Sequence, residues 1–249
     1  MEASSWALTV MAWLAALAQF LKTHDHIFAS RPQPAAGKYI SYNYSDILWA
    51  PYGPYFRQAR KIYMSEVFTP KRLESYEYIR VEERSALLSR LHALSGNPIK
   101  VKEHLVLYTL SVISRVALGK KYFSESESES ETSAVTFKEF LEMLDEWFVL
   151  NSDFNVGDWI PWLNFLDLQG FVKRMKALSK RFDRFHDHVF DDHKAKRGAG
   201  DFVPNDMVDL MLQLADDPNT DVKLTYDNLK GLTQSRSHDS HFIFISCHF

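Results

Sequence analysis

The chain has 249 residues, 46% of them hydrophobic and 14% aromatic, which is enough apolar material for a sizeable core in one large domain or two small ones. Its 29 basic and 32 acidic residues give a formal charge of −3, so composition provides no overall attraction to nucleic acid. A single cysteine excludes an internal disulfide framework and any metal site built from several cysteines. Glycine is scarce and no glycine-rich phosphate loop occurs, which argues against nucleotide binding.

The first element is an uncharged apolar segment, WALTVMAWLAALAQFL, at residues 6–21. As a helix it would extend for about 24 Å, less than the ~30 Å hydrocarbon core of a bilayer. We interpret residues 1–21 as a shortened membrane anchor. A buried helix is one alternative. A secretory signal peptide is another, suggested by Ala-Leu-Ala at 16–18, but Glu2 is the only charge before the apolar segment, where a signal peptide has basic residues.

Most of the remaining chain has helical periodicity. Pro54 suits the first turn of a helix, where its missing N–H is not needed. The segment 102–122 is apolar on nearly all sides, which predicts a buried helix that ends at Gly119. Between residues 171 and 197, apolar side chains recur every three or four positions. The water face of that helix would carry Lys173, Lys176, Lys180 and Arg184. No stretch alternates convincingly with period two, so we predict a mainly α fold with little or no sheet.

Two stretches interrupt the helices. SESESESE, residues 124–131, has low complexity and alternating acidic residues, which predicts a solvated loop. DFNVGDWIPWLNFLDLQG, residues 153–170, loses its periodicity at Gly157, Pro161 and Gly170 but remains rich in aromatic and leucine side chains. An apolar loop of this kind must cover another part of the protein or contact lipid.

Histidines at two places have the atom types that bind metals. His186, His188 and His193 lie in one predicted helix among aspartates, but only His188 and Asp192 are spaced to share a face. Zinc usually takes three or four ligands, so we expect a solvated helix end there. The histidines and the cysteine between residues 238 and 248 match no zinc spacing. We therefore predict no metal site.

The basic sequence FRQARK, residues 56–61, is a second candidate site. On a helix Arg57, Arg60 and Lys61 project from the same side. Two guanidinium groups so close together suit a dianionic planar partner such as a pair of carboxylates. On these residues alone, an ordinary basic helix face is the alternative.

Several segments resemble the cytochrome P-450 haem-thiolate monooxygenases, particularly the plant microsomal group that includes flavonoid 3′-hydroxylase-like enzymes. The similarity begins with AAGKYISYNYSDILWAPYGPYFRQARK, continues through KRLESYEYIRVEE, SVISRVALGKKY, FNVGDWIPWLNFLDLQG, KRFDRFHDHVFDDH and NDMVDLMLQLADDP, and ends in KLTYDNLKGLTQ. It covers nearly everything from Gln19 to Gln234, and the occurrence of five or six blocks in the order of the family makes the resemblance specific. The resemblance implies an incomplete N-terminal portion of the P-450 fold, with haem as cofactor and a small organic, phenolic or flavonoid-like substrate.

The resemblance also implies roles for individual residues. The family pattern W-x-x-x-R falls on Phe56 and Arg60, so Arg60 would bind a haem propionate beside an aromatic ring that lacks the indole N–H. Arg57 and Lys61 would face the reductase that delivers electrons from NADPH. The loop at 154–168 would touch the membrane, which places the protein at the cytosolic face of the endoplasmic reticulum. One wall of the substrate pocket would include Ser41, Tyr42, Tyr44 and Ile47.

Three family motifs are missing from these 249 residues: the F-x-x-G-x-R-x-C-x-G segment that supplies the haem thiolate, the E-x-x-R pair and the A-G-x-D-T segment. Cys247 has neither the glycine nor the arginine of the first motif at the required spacing. We therefore expect no axial ligand from it, name no catalytic residue, and expect no monooxygenase turnover. Two alternatives remain: a non-catalytic, membrane-associated helical protein that binds the reductase, and an independent helical bundle.

The similarity also breaks at two joints, between about Ala18 and Gln19 and after Gln234. We interpret residues 1–21 as the anchor, residues 22–234 as a partial haem-monooxygenase domain and residues 235–249 as an unrelated tail. An aberrant transcript or gene model would explain both joints, and sequencing the transcript across them tests that hypothesis.

Overall fold

The computed structural model describes residues 2–23, 27, 29–124, 135–197, 206–217 and 222–235. Nearly all of the predicted acidic loop, and the tail from residue 236 onward with its histidines and Cys247, lie outside the described residues.

Helices dominate the described chain. They are α1 (Glu2–Ala18), α2 (Ala35–Tyr39), α3 (Pro54–Ile62), α4 (Pro70–Ser75), α5 (Glu77–Ala93), α6 (Val101–Leu118), α7 (Phe137–Ser152), α8 (Val156–Trp159), α9 (Phe171–Arg197), α10 (Met207–Asp216) and α11 (residues 226–235). Short π-helical segments, Gln19–Thr23 and Tyr63–Val67, follow α1 and α3, and a 3₁₀ helix, Pro161–Leu166, follows α8. Two strands of two residues each, β1 (Phe123–Ser124) and β2 (Val135–Thr136), pair in parallel with Phe123 opposite Val135. The prediction of a mainly α fold with little or no sheet is confirmed.

Local sequence signals fix several helix ends. Pro54 occupies the first turn of α3, as its missing N–H allows. Helix α6 ends at Gly119, which has the left-handed φ of 77° predicted for a C-terminal glycine. Gly119 is also required for space, because a Cβ there would lie 2.3 Å from Oδ2 of Asp206. The Asp206 carboxylate in turn caps α10 by accepting a hydrogen bond from the N–H of Asp209 at 2.9 Å.

The core is built around α9, whose apolar stripe was predicted from its periodicity. Met175, Leu178, Phe182, Phe185 and Val189 are all at most 3% exposed. The N-terminal half of α9 packs against α2 and α7, in a cluster that includes Ile40, Met143 and Trp147. Its C-terminal half joins a larger cluster with α3, α6, α10 and α11, which includes Ala59, Leu110, Leu118, Tyr122, Met211 and Leu232.

Helix α1 lies apart from both clusters, and its apolar side chains are exposed, including Trp6, Trp13 and Leu14. In the part of the chain that the structure describes, no helix combines the length and the hydropathy needed to cross a bilayer. The interpretation of residues 1–21 as an anchor stays a prediction.

Candidate functional site

The basic face predicted for FRQARK is present on α3. The buried side of this helix carries Gln58, Ala59 and Ile62, which turns Arg57, Arg60 and Lys61 toward solvent. Arg57 lies over the ring of Tyr52, with 5.6 Å between Cζ and the ring centroid. Arg60 and Lys61 form no ion pair with any residue that the structure describes. Arg60 is therefore free to bind an external anion.

Arg31 joins this face, although nothing in the sequence indicated it. Its Cζ lies 5.7 Å from the ring centroid of Phe56, within the range of a cation–π contact. Its Nη1 also donates hydrogen bonds to the carbonyl oxygens of Ile47, at 2.6 Å, and Leu48. Phe56 is half-buried, and its other neighbour is the ring of Tyr52 at 6.1 Å. Arg31 thus connects the α3 face to the segment around Ile47.

That segment, which contains the predicted substrate residues, has an unusual backbone. Tyr42, Asn43 and Tyr44 are three consecutive left-handed residues, with φ of 49°, 55° and 63°. Each such residue other than glycine costs roughly 1–2 kcal/mol, so the surrounding structure must hold the turn in place. The hydroxyl of Tyr44 helps, because it donates to the carbonyl oxygens of Gln33 and Pro34 at 3.3 Å.

Long-range contacts place the segment between α9 and α11. The Tyr42 hydroxyl lies 3.1 Å from Nδ1 of His186 on α9. The N–H of Ile47 donates to Oγ of Ser235, the last described residue of α11, at 3.2 Å. Gly231 of α11 packs directly on the backbone of Ser45. Ser41 is buried. The structure thus brings Ser41, Tyr42, Tyr44 and Ile47 together in one segment. The Tyr42 and Tyr44 hydroxyls and the N–H of Ile47 have protein partners, whereas the buried Oγ of Ser41 has no hydrogen-bond partner among the described residues.

The expectation of a solvated helix end was wrong for two of the three histidines of α9. His186 and His193 are 2% and 0% exposed, whereas His188 is exposed. The physical reason is their register: each follows a buried apolar residue, Phe182 or Val189, by four positions, so each continues the apolar stripe. The spacing of four positions was present in the sequence and indicated that both histidines are buried.

His186 is kept neutral by its surroundings. Burial and the nearby Lys230 ammonium lower the pKa of His186 to about 4. Lys230 is itself buried, and its Nζ forms ion pairs with Asp183 at 2.9 Å and Asp187 at 2.7 Å. Neutral imidazole is therefore the resident form beside Tyr42 at ordinary pH.

His193 has the opposite environment. Nδ1 donates to the carbonyl oxygen of Val189 at 2.8 Å, and Nε2 donates to Oδ2 of Asp206 at 3.0 Å, with Oδ1 of Asp209 at 3.9 Å. Burial lowers the pKa of His193, but the Asp206 carboxylate outweighs it, and the pKa is raised overall. The three side chains place potential metal ligands within 4.8 Å of one another. Since both ring nitrogens have acceptor partners, we describe the group as an imidazolium paired with carboxylates.

The residues present fit one edge of a haem but not its iron. Arg60 and Phe56 offer an unpaired guanidinium and an aromatic side chain on α3, which suit a propionate. Iron of the family type needs a cysteine thiolate. The one cysteine, Cys247, lies outside the described residues and has no such motif around it.

Comparisons with known proteins agree with this geometry. The family described as cytochrome P-450 matches residues 4–235. Similar curated proteins include trimethyltridecatetraene synthase from Zea mays, 39% identical over 86% of this chain and 41% of its own length. Flavonoid 3′-monooxygenase from Petunia hybrida is 36% identical over 90% of this chain and 43% of its own length. The chain thus spans about two fifths of the length of these relatives.

The fold has solved counterparts. A zebra fish cytochrome P-450 structure with abiraterone superposes with a TM-score of 0.65 at 17% identity, covering 90% of this chain and 46% of that one. The resemblance seen in the sequence is therefore confirmed, including its restriction to under half of the family fold. The chain belongs to the cytochrome P-450 family.

Proposed function

We propose that this chain derives from a haem-dependent monooxygenase that hydroxylates a small organic compound, phenolic, flavonoid-like or another secondary metabolite, with electrons from NADPH through a reductase. The observation that carries the proposal is the α3 face, where Arg60 is exposed and unpaired among the described residues beside Phe56. The flavonoid 3′-monooxygenase relative supports the substrate class.

Each part of the site has a task in this proposal. The haem, when bound, supplies the oxygen chemistry. Arg60 would hold a propionate through a charge-assisted hydrogen bond worth about 1–3 kcal/mol. The turn with Ser41, Tyr42, Tyr44 and Ile47 would form one wall of the substrate pocket and orient the substrate.

We further propose that the 249-residue polypeptide does not turn over substrate, because one propionate contact does not compensate for the missing thiolate. The test is the carbon monoxide difference spectrum of the reduced, haem-supplied full chain, recorded for the wild type and for Arg60→Ala and Cys247→Ser variants. We expect no Soret band at the position typical of thiolate ligation. A band at that position in the wild type that is lost in Cys247→Ser would show that Cys247 ligates haem iron. It would overturn the proposal that the polypeptide lacks the thiolate ligand.

Membrane association at the cytosolic face of the endoplasmic reticulum is also proposed, through residues 1–21 and the loop at 154–168. Supporting it, the loop exposes a group of large apolar side chains: Phe154, Trp159, Trp162, Phe165, Leu166 and Leu168.

A non-catalytic role in binding the reductase is the second candidate, favoured by the exposure of Arg57, Arg60 and Lys61 together on one helix. Pull-down with a purified reductase tests it. A triple alanine variant of these residues should lose binding, and alanine at three exposed lysines elsewhere, Lys71, Lys102 and Lys138, should not. Equal retention by both variants would exclude this surface as the contact.

A further inference from the structure

Three buried side chains from two helices converge near the C-terminal end of α9. His193 lies on α9, Asp206 caps α10, and Asp209 lies in the first turn of α10. Their side chains are only 1%, 7% and 8% exposed. One potential metal-ligand atom from each lies within 4.8 Å of the other two, and no other such group of imidazoles, carboxylates or thiols occurs in the part of the chain that the structure describes. The group is therefore compact and dry enough to hold a cation.

The imidazole and one carboxylate are oriented by separate hydrogen bonds. Nδ1 of His193 donates to the carbonyl oxygen of Val189 at 2.8 Å, which turns Nε2 toward the carboxylates. Oδ1 of Asp206 accepts from the N–H of Asp209 at 2.9 Å, which leaves Oδ2 facing Nε2 at 3.0 Å. A histidine that binds a metal usually donates its other ring N–H to a carbonyl or carboxylate in this way. Two ligand atoms are thus in position before an ion binds.

The distances between the ligand atoms suit a small cation. Zinc binds histidine nitrogen and carboxylate oxygen at about 2.0–2.2 Å, so two ligand atoms of a tetrahedral site lie roughly 3.4 Å apart. Nε2 of His193 lies 3.0 Å from Oδ2 of Asp206 and 3.9 Å from Oδ1 of Asp209. These two separations lie on either side of the tetrahedral value, so small side-chain rotations would admit the ion.

The charges and the donor atoms favour zinc. Counting these three side chains alone, two carboxylates and an imidazolium leave one negative charge, whereas two carboxylates, a neutral imidazole and a divalent ion sum to zero. Uncompensated charge is costly at a buried site. Calcium and magnesium prefer oxygen ligands throughout, while one imidazole with carboxylates suits zinc. Three protein ligands is also the number in zinc sites whose fourth position is taken by water.

The sequence gave no indication of this site, because only the histidines and aspartates of α9 itself were compared. Asp192, which is spaced to share a face with His188, instead accepts a hydrogen bond from the Tyr122 hydroxyl at 2.7 Å and pairs with Lys120 at 2.9 Å. The carboxylates that meet His193 come from the start of α10, the nearer of them 13 positions further along the chain. The expectation of no metal site did not include them.

We propose that His193, Asp206 and Asp209, the α9–α10 site, bind a zinc ion through Nε2 and one oxygen of each carboxylate. The ion takes the place of the Nε2 proton, which passes to water, and the imidazolium described above is the metal-free state. Bound zinc would join the C-terminal end of α9 to the start of α10 and stabilise the native state. None of the residues proposed to hold haem or substrate takes part.

Equilibrium dialysis of the chelator-treated full chain against zinc tests the proposal, with circular dichroism to verify folding. We expect the wild type to bind zinc and its thermal midpoint to rise with zinc concentration. Asp209→Asn keeps the shape of the side chain and should weaken zinc binding by at least about 100-fold, since even residues that only support a ligand contribute 10- to 100-fold. The matched control, Asp191→Asn, removes an exposed carboxylate of α9 and should bind zinc like the wild type.

Cobalt, used in place of zinc, distinguishes the α9–α10 site from the tail, where Cys247 and His248 also have metal-binding atoms. Co²⁺ bound by nitrogen and oxygen absorbs in the visible range but lacks the near-ultraviolet charge-transfer absorption of a cobalt–thiolate bond. We expect visible bands in the wild type and in Cys247→Ser, and their loss in His193→Gln. Near-ultraviolet absorption that disappears in Cys247→Ser would place the ion in the tail and overturn the proposal.

The remaining outcomes are equally decisive. A wild type whose thermal midpoint does not respond to zinc overturns the proposal whatever the variants do. Equal zinc affinity of the wild type and Asp209→Asn also overturns it. If Asp209→Asn does not fold, Asp206→Asn takes its place, because asparagine keeps the acceptor that caps α10. Undiminished zinc affinity in that variant would have the same meaning.

Discussion

The two buried histidines of α9 give the stability of this chain an expected maximum near pH 6.5, the ordinary pKa of histidine. His186 has a folded pKa of about 4, so between about pH 6.5 and pH 4 the unfolded chain takes up a proton that the native state refuses. That difference removes about 3 kcal/mol of unfolding free energy over this range. His193 acts in the opposite direction: its raised folded pKa gives stability that is complete below about pH 6.5 and is lost as pH rises through the folded value.

Asp206→Asn isolates the contribution of His193. Asparagine keeps an acceptor for the N–H of Asp209 and is a good helix cap, so the change removes mainly the charge that faces Nε2. Removing one partner of a buried ion pair costs about 3–5 kcal/mol. We expect Asp206→Asn to lower the free energy of unfolding by this amount at pH 6. The cost should shrink at alkaline pH, where the wild type has itself lost the imidazolium. Asp191→Asn, which removes an exposed charge from the same helix, should change stability by less than about 0.5 kcal/mol.

Urea unfolding followed by circular dichroism, in steps from about pH 4 to pH 9, measures both slopes. The histidine Cε1–H signals identify which ring titrates. Besides Asp206 and Asp209, Tyr122 and Asp192 are titratable groups at His193. Burial raises the pKa of Tyr122, so its hydroxyl stays neutral in this range. Burial of Asp192 is outweighed by the hydrogen bond from Tyr122 and by Lys120, so the pKa of Asp192 is lowered and its carboxylate stays charged. A wild type whose stability does not decline above pH 6.5, or an Asp206→Asn variant with the wild-type slope there, would refute the assignment.

Two further substitutions test how the predicted substrate segment and the apolar loop at 154–168 are held. Gly231→Ala places a Cβ 2.9 Å from the carbonyl carbon and 3.0 Å from the carbonyl oxygen of Ser45, so we expect a loss of about 1–3 kcal/mol, seen as a lower urea midpoint with an unchanged m-value. Asp167→Ala removes the acceptor for two N–H groups of α9 at a residue with φ of 43°, and should cost about 1–2 kcal/mol by thermal unfolding. Asp167→Asn keeps one acceptor oxygen and tolerates that φ, so it should cost less than half as much as Asp167→Ala. If the two variants lose equal stability, the negative charge of Asp167, and not its hydrogen bonds, is responsible.

Features set by near neighbours in the chain could be predicted, and those set by distant ones could not. The apolar stripe of α9 and the exposed cations of α3 follow from helical period, and Gly119 ends α6 because its φ suits glycine. Arg31 was missed because its contact with Phe56 depends on how two segments pack, and no spacing in the sequence encodes that. The contact of Tyr42 with His186 joins residues 144 positions apart, so no local pattern indicates it. The burial of His186 was predicted wrongly because we relied on the aspartates next to it in the chain and not on its position in the apolar stripe.

Lys230 shows how these distant contacts depend on one another. A buried ammonium is stable only when paired, and Lys230 has two carboxylates one turn apart on α9, with the ring of Tyr226 at 5.0 Å and that of Tyr42 at 5.8 Å. The pairing fixes α11 against α9, and burial together with the Lys230 charge keeps His186 neutral beside Tyr42. Protonation of His186 would place a second buried cation next to Lys230, so acid should loosen the left-handed turn at Tyr42 before the rest of the core. The protection factor of the Tyr44 amide hydrogen, which is bonded to the carbonyl of Gly37 at 2.9 Å, should fall below pH 6.5, while amides in the middle of α6 keep their protection factors.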